Sequence, residues 1–260
     1  MNSNFQKKYG PWALVTGASD GIGRALAIEI AKVGLNLIIV GRNNERLEKL
    51  GSEIQKKFNV IVKIIAIDLA KNESNKALIS QINQYEIGLF AAIAGFGTSG
   101  DFFKGKIQDE LEMIDVNCRS VVEQTYYFAN RFVTQKRGGI ILMGSLVGFQ
   151  GVPYSANYAA TKAFIQNFAE GLHFELKQFG VDVLSSAPGP VQSGFGKRAN
   201  LNMGNAASTE VVAEKTIQAL GYMVTIRPGF LSKFLGWSLI ILPRIMRIYI
   251  MRIIMGKMAK

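Results

Sequence analysis

The sequence predicts a doubly wound α/β domain, a parallel sheet of seven strands with helices on both faces. Three observations carry this expectation. Short apolar runs alternate with longer amphipathic stretches along nearly the whole chain, the pattern of successive βα units. The first of these runs ends in a glycine-rich turn that opens a helix. The 260 residues, 48% hydrophobic and including 27 glycines, suit one α/β domain with a substantial core and many tight turns.

Taken in order, Trp12 to Thr16 is a short apolar strand, followed by Gly17-Ala18-Ser19-Asp20-Gly21-Ile22-Gly23 and a helix with Leu26, Ile30 and Val33 on one side. Glycines at this spacing let a strand turn sharply into a helix and let backbone approach a ligand. The helix N-terminus then offers free N–H groups to a pyrophosphate. A merely tight βα turn is the alternative, but strand, turn and amphipathic helix in succession favour a dinucleotide. The second strand, Leu37 to Val40, ends at Gly41-Arg42-Asn43. A cation at that position pairs with a 2′-phosphate where an acid would bind a free 2′-hydroxyl, so Arg42 favours NADP(H), unless it only caps an exposed turn.

A helix over 44–58 and a third strand over 60–67 lead to Asp68-Leu69. Asp68 suits an adenine contact, a helix N-cap, or both. A polar helix over 71–84 precedes a fourth strand, Ile87 to Ala94, ending in Gly95-Phe96-Gly97, where small residues let a cofactor lie against the strand end. Residues 106–136 read as one long helix or two joined helices. Their acidic group, Asp109, Glu110, Glu112 and Asp115, reads as a solvated face near a helix N-terminus rather than a metal site. The single histidine, His173, lies in an apolar helix and reads as structural.

The fifth strand, Gly139 to Met143, runs into Ser145, a loop, and a helix beginning near Ser155. Tyr158 and Lys162 are four residues apart and so share one face of that helix. An ammonium beside a phenol favours phenolate and is expected to lower the tyrosine pKa. With the Ser145 hydroxyl opposite, the three groups suit protonation of a carbonyl oxygen as a hydride arrives. An ordinary surface Tyr and Lys is the alternative on this stretch alone. The sixth strand, Val181 to Ala187, ends at Pro188-Gly189-Pro190-Val191-Gln192-Ser193, and the polar loop through Gly204 suits a mobile flap over the site. A helix from Ser208 and a strand within Tyr222–Ile226 complete the domain.

In combination these motifs, in this order over roughly residues 10–226, resemble the short-chain dehydrogenase/reductase family, with its Rossmann-type fold. The resemblance implies a proton donor at Tyr158, a lysine at Lys162 that lowers the tyrosine pKa and holds the nicotinamide ribose, a serine at Ser145 that positions the substrate oxygen, and a helix-bending, water-holding asparagine at Asn117. It implies cofactor contacts at Gly17, Ser19, Gly21, Ile22, Gly23, Arg42, Asp68, Leu69, Ala94, Gly95, Pro188, Gly189, Val191 and Ser193, and dimers or tetramers formed through the helices around 106–136 and 155–179. The chain departs from the family pattern at Ala92-Ile93-Ala94-Gly95, where Asn-Asn-Ala-Gly is common, which predicts the loss of amide bracing beside the cofactor. The opening Tyr9-Gly10-Pro11-Trp12-Ala13 is similar to that of a bacterial branch of reductases of mostly unassigned substrate. The Asp20-bearing turn is similar to that of long-chain 3-oxoacyl-CoA reductases.

Charge sets the C-terminus apart. After Glu214 there is no acidic residue, and the segment beyond it carries +8 of the net +11. A basic balance confined to one end argues against a nucleic-acid groove. Residues 1–229 read as the catalytic domain and 230–260 as a basic, apolar tail. The tail's longest charge-free run, 234–243, is far short of the ~20 residues that span a bilayer. Its Arg–Ile–Met interleaving suits a helix lying on a membrane surface, or an apolar cover for the cleft or a subunit contact. The lone Cys118 excludes an internal disulfide, and MNSNFQKKYGPW lacks an apolar signal region, which points to the cytoplasm, with the membrane surface as an extension of that reading. The expected activity is NADPH-dependent reduction of a lipophilic ketone, or oxidation of the alcohol. The alternative is a non-catalytic NADP(H)-binding sensor or membrane-surface adaptor.

Overall fold

The computed structural model describes residues 2–204, 206–229 and 242–258. Their strands are β1 (Trp12–Thr16), β2 (Asn36–Gly41), β3 (Val62–Ala66), β4 (Ile87–Ala92), β5 (Gly138–Met143), β6 (Val181–Ser186) and β7 (Thr225–Ile226). They form one seven-stranded sheet in the order β3-β2-β1-β4-β5-β6-β7, parallel at every pairing. The order reverses between β1 and β4, so the crevice outside their C-terminal ends is where an open α/β sheet takes its ligand.

The helices follow from the apolar periodicity. In α2 (Gly21–Lys32), Leu26 and Ile30 are fully buried, and in α3 (Asn44–Lys57), Leu47 and Ile54 are. Both pack with the inner residues of β1 and β2 in one core layer. The other layer, beneath α6 (Ser120–Gln135) and α7 (Ala156–Lys177), includes Phe90, Phe128 and Phe132, with Phe90 and Phe128 stacked at 4.3 Å. The central strands are buried on both faces, as a parallel sheet requires.

Some boundaries and roles differ from the sequence expectation, while the two joined helices over 106–136 and the structural His173 agree with it. An unforeseen helix, α1 (Asn2–Tyr9), seals the bottom of the sheet by burying Phe5 and Tyr9. The stretch 106–136 is two helices, α5 (Ile107–Ile114) and α6, joined by a π-helical turn over Asp115–Arg119. Asp68 does not cap α4 (Ser74–Ile82): its Oδ1 accepts from the Ala70 backbone N–H at 3.2 Å, and Glu73 occupies the N-cap position. The acidic group is not simply a solvated face. Glu110 is only 7% exposed, because its carboxylate accepts from Thr98 Oγ1 and from Asn157 Nδ2, each at 2.7 Å. His173 is buried, with its Nδ1 2.8 Å from the Val183 carbonyl oxygen.

Helix α9 (Thr209–Ala219) packs on α2, and the C-terminal helix, α10 (Arg244–Met258), lies over the sheet's C-terminal end, whereas 230–241 and 259–260 of the tail lie outside the described residues. Among the described residues, no helix is long and apolar enough to cross a membrane.

Candidate active site

A cleft of about 820 Å³ runs along the C-terminal ends of β1, β2, β4, β5 and β6. Every sequence-predicted site residue except Asn117 lines it. At one end lies the β1–α2 turn. Gly17 adopts φ +69°, and a Cβ there would come within 2.8 Å of the Ala94 backbone, so the turn packs against the β4 end only as glycine. Asp20 caps α2 by accepting from the Gly21 N–H at 2.7 Å.

Arg42 stands where β2 ends, about half exposed, with Nη1 3.6 Å from Glu112 Oε1. The same carboxylate oxygen lies 3.4 Å from Nη2 of Arg198, whose guanidinium is centred 3.6 Å from the Phe96 ring. Burial, and then the nearby Arg42, depress the Arg198 pKa. Arg198 belongs to α8 (Gly194–Arg198), a short helix capped by Ser193 in the segment expected to be a polar loop. Sequence reading missed Arg198 and Phe195, because a five-residue helix has no readable apolar period, and placed Glu112 of α5 on a solvated face rather than beside the two arginines.

At the cleft's centre α7 presents Tyr158 and Lys162. Lys162 is 5% exposed and its Nζ donates to the Met143 carbonyl at the end of β5, 2.7 Å away. Burial lowers its pKa to about 8. The expected lowering of the Tyr158 pKa is not what this arrangement produces. Burial pushes the phenol up to about 12, and a hydrogen bond from Ser145 only partly offsets that. The physical reason is distance: the ammonium is drawn to Met143 and lies 5.8 Å from the phenol ring centre. The ring itself is half-buried, 5.2 Å centre to centre from Phe195. Ser145 is anchored at the β5 end, where its Oγ accepts from the Val147 N–H at 3.4 Å and lies 3.5 Å from the Pro188 carbonyl oxygen.

Asn117 sits on the π-helical turn, behind the cleft wall rather than in it. Its Oδ1 accepts from the Phe96 N–H at 3.1 Å, and its Nδ2 donates to the Phe96 carbonyl at 2.8 Å and to Thr161 Oγ1 at 3.1 Å. A Cβ on Gly95 would lie 2.9 Å from Asn117 Oδ1, which explains the glycine there. The bracing expected to be lost at Ala92–Gly95 is therefore present from other residues. Thr16 Oγ1 accepts from the N–H groups of Ile93 and Ala94 at 3.1 and 3.2 Å. Thr16→Val leaves both donors unpaired in a buried place and is expected to cost about 2 kcal/mol. Thermal unfolding should show it as a fall of roughly 4–8 °C, with Thr16→Ser close to wild type.

The far end of the cleft is apolar. Met251, Ile254, Met255 and Met258 of α10 face Leu146, Val147, Leu201 and Met203 across it. Cover of the cleft, one of the alternatives the sequence left open for the tail's apolar residues, is what these side chains provide.

Sheet order and crevice are those of a doubly wound α/β fold that takes its ligand at the strand C-termini. Residues 11–204 match the model of the short chain dehydrogenase family. A 7β-hydroxysteroid dehydrogenase of Clostridium sardiniense is 33% identical over 186 residues, covering 72% of this chain and 71% of that protein. A very-long-chain 3-oxoacyl-CoA reductase of Mus musculus is 29% identical over 253 residues, covering 96% and 80%. Among solved structures, one of a 7β-hydroxysteroid dehydrogenase superposes with a TM-score of 0.88 at 25% identity, covering 95% of this chain and 98% of that one. A short-chain dehydrogenase from Sphingobium yanoikuyae in complex with NADPH gives 0.81 at 26% identity, covering 89% and 92%. The chain belongs to the short-chain dehydrogenase family.

Proposed function

We propose that this protein is an NADP(H)-dependent oxidoreductase that interconverts a ketone and a secondary alcohol on a bulky, lipophilic substrate. The observation that carries the reading is the arrangement of the cleft: Ser145, Tyr158 and Lys162 stand between a glycine turn with Arg42 at one end and a methionine-rich wall at the other. The residues fit the cofactor. The α2 N-terminus and a backbone stripped of Cβ atoms suit a diphosphate, and Arg42, half exposed at the β2 end, suits a 2′-phosphate. NADPH, when bound, supplies the hydride.

In reduction, Ser145 holds the substrate oxygen and Tyr158 gives it a proton as negative charge develops. A secondary alkoxide is far more basic than a phenolate, so a phenol with a raised pKa still transfers its proton favourably and is fully protonated at neutral pH. Lys162 is mostly charged at pH 7; its Nζ donates to the Met143 carbonyl, which holds the ammonium at the cleft wall to orient the ribose. Asn117 fixes the backbone at Phe96 and the α7 turn at Thr161, which keeps the β4 end and Tyr158 in register. The domain through 229 would thus carry the chemistry, with the tail's α10 forming the substrate wall.

Hydroxysteroid and long-chain oxoacyl relatives support a large apolar substrate. A homo-oligomer is supported by exposed Ile107 and Leu111 on α5 and Tyr126 on α6, as the family resemblance implies. The test is NADPH consumption across small ketones, steroid ketones and 3-oxoacyl thioesters. The bulky apolar substrates should be turned over with the highest kcat/KM. A preference for small polar ketones would overturn the substrate class.

A further inference from the structure

Helix α10 is apolar on two faces, and the cleft uses only one of them. On the inner face Met251 and Met255 are buried in a cluster with Val152 and Ala159. On the outer face Ile245 and Tyr249 are each 60% exposed, Ile253 61% and Met246 48%. With 3.6 residues per turn, these four fall within an arc of about 100°. Exposed Arg252 borders one edge of the arc and exposed Lys257 the other. A helix that covers a domain ordinarily turns polar residues outward, so a contiguous apolar outer face marks an interaction surface. The surface continues past the helix end. Gly256 approaches Tyr154, whose carbonyl accepts from the Gly100 N–H at 2.8 Å, in a loop that exposes Phe102 and Phe103 beside Lys106 and a Lys104 paired with Asp101.

We propose that this outer face docks on an anionic lipid bilayer, with α10 lying in the plane of the headgroups. Its charge pattern selects the occupant. Cations at the edges of an apolar arc bury their stems with it while their heads reach lipid phosphates. No acidic residue follows Glu214, so nothing on this segment repels a negative surface. A second copy of the same face, meeting it about a two-fold axis, would set Arg252 and Lys257 against cations. Docking also places the methionine-walled end of the cleft, through the opposite side of the same helix, next to the reservoir of an apolar substrate. That last step rests on the proposed function, whereas the docking itself does not.

The test is flotation of the full chain with vesicles of phosphatidylcholine alone and of phosphatidylcholine mixed with phosphatidylglycerol. Wild type should float with the mixed vesicles, and should be released from them at high salt. Tyr249→Asp/Ile253→Asp should weaken vesicle binding by at least about tenfold, while NADPH binding and thermal unfolding stay at wild-type values. Absence of flotation with anionic vesicles, or flotation undiminished in the double variant, overturns the proposal. So does a smaller oligomer in that variant where wild type binds no vesicles, which assigns the face to a second copy. Turnover of a water-soluble ketone, read without vesicles, tests the chemistry separately: binding without turnover counts against the proposed function, and turnover without binding counts against docking.

Discussion

Tyr158→Phe is expected to lower kcat for ketone reduction by roughly 10²–10⁴-fold, the span of one positioned general acid. The substitution removes the oxygen that carries the proton and leaves the ring on Phe195, so the cleft wall keeps its shape. NADPH binding, read by quenching or energy transfer, should stay within about threefold of wild type, since the phenol is one contact among many along the cleft. A second readout comes from linkage. The Tyr158 pKa is raised on folding from 10.0 to about 12, so the folded protein holds this proton where the unfolded chain has lost it. The stability this contributes is fully present below pH 10 and is lost as pH rises to about 12. Wild type should therefore lose stability over that interval relative to Tyr158→Phe. Retained turnover in the variant would sink the assignment of Tyr158 as proton donor. Bound NADPH with no wild-type turnover on any ketone would instead favour a protein that senses the cofactor.

Arg42→Asp is expected to move the cofactor preference toward NADH by about 10²-fold in kcat/KM, because a charge-assisted pair is replaced by repulsion. Wild-type Arg42 is half exposed and lies 3.6 Å from Glu112, a weak interaction that a phosphate can displace. Arg198, close to the same carboxylate, remains in the variant and should keep NADPH binding measurable. The change should appear mainly in KM, since the reacting atoms lie at the other end of the cofactor. An unchanged NADPH-to-NADH ratio would show that Arg42 caps its turn and does nothing more.

Both variants concern residues that the sequence exposes by local means. The βα periodicity, the glycine turn and the four-residue spacing of Tyr158 and Lys162 are properties of neighbouring residues, and local backbone geometry converts them directly into strands, turns and one face of a helix. For that reason the parallel sheet and the group of residues at its C-terminal edge were legible from the chain alone.

What the tertiary structure decided were matters of partnership between distant residues. Thr16 replaces the missing amides after β4, at a sequence distance of 77 residues from Ile93. Glu110 is drawn inward by Thr98 and Asn157, although its neighbours in sequence suggest a solvated face. The Tyr158 phenol is pushed up rather than down, because Lys162 finds a carbonyl from β5 and burial outweighs its charge. The tail's apolar residues divide between a cleft-facing side and an exposed side only once α10 is set against Val152 and Ala159. By itself the sequence determined the order of strands and helices and the kinds of groups that meet at the crevice. Packing decided which charges are screened, which are buried and which surfaces are left over, because those depend on solvent exclusion by residues far away in the chain.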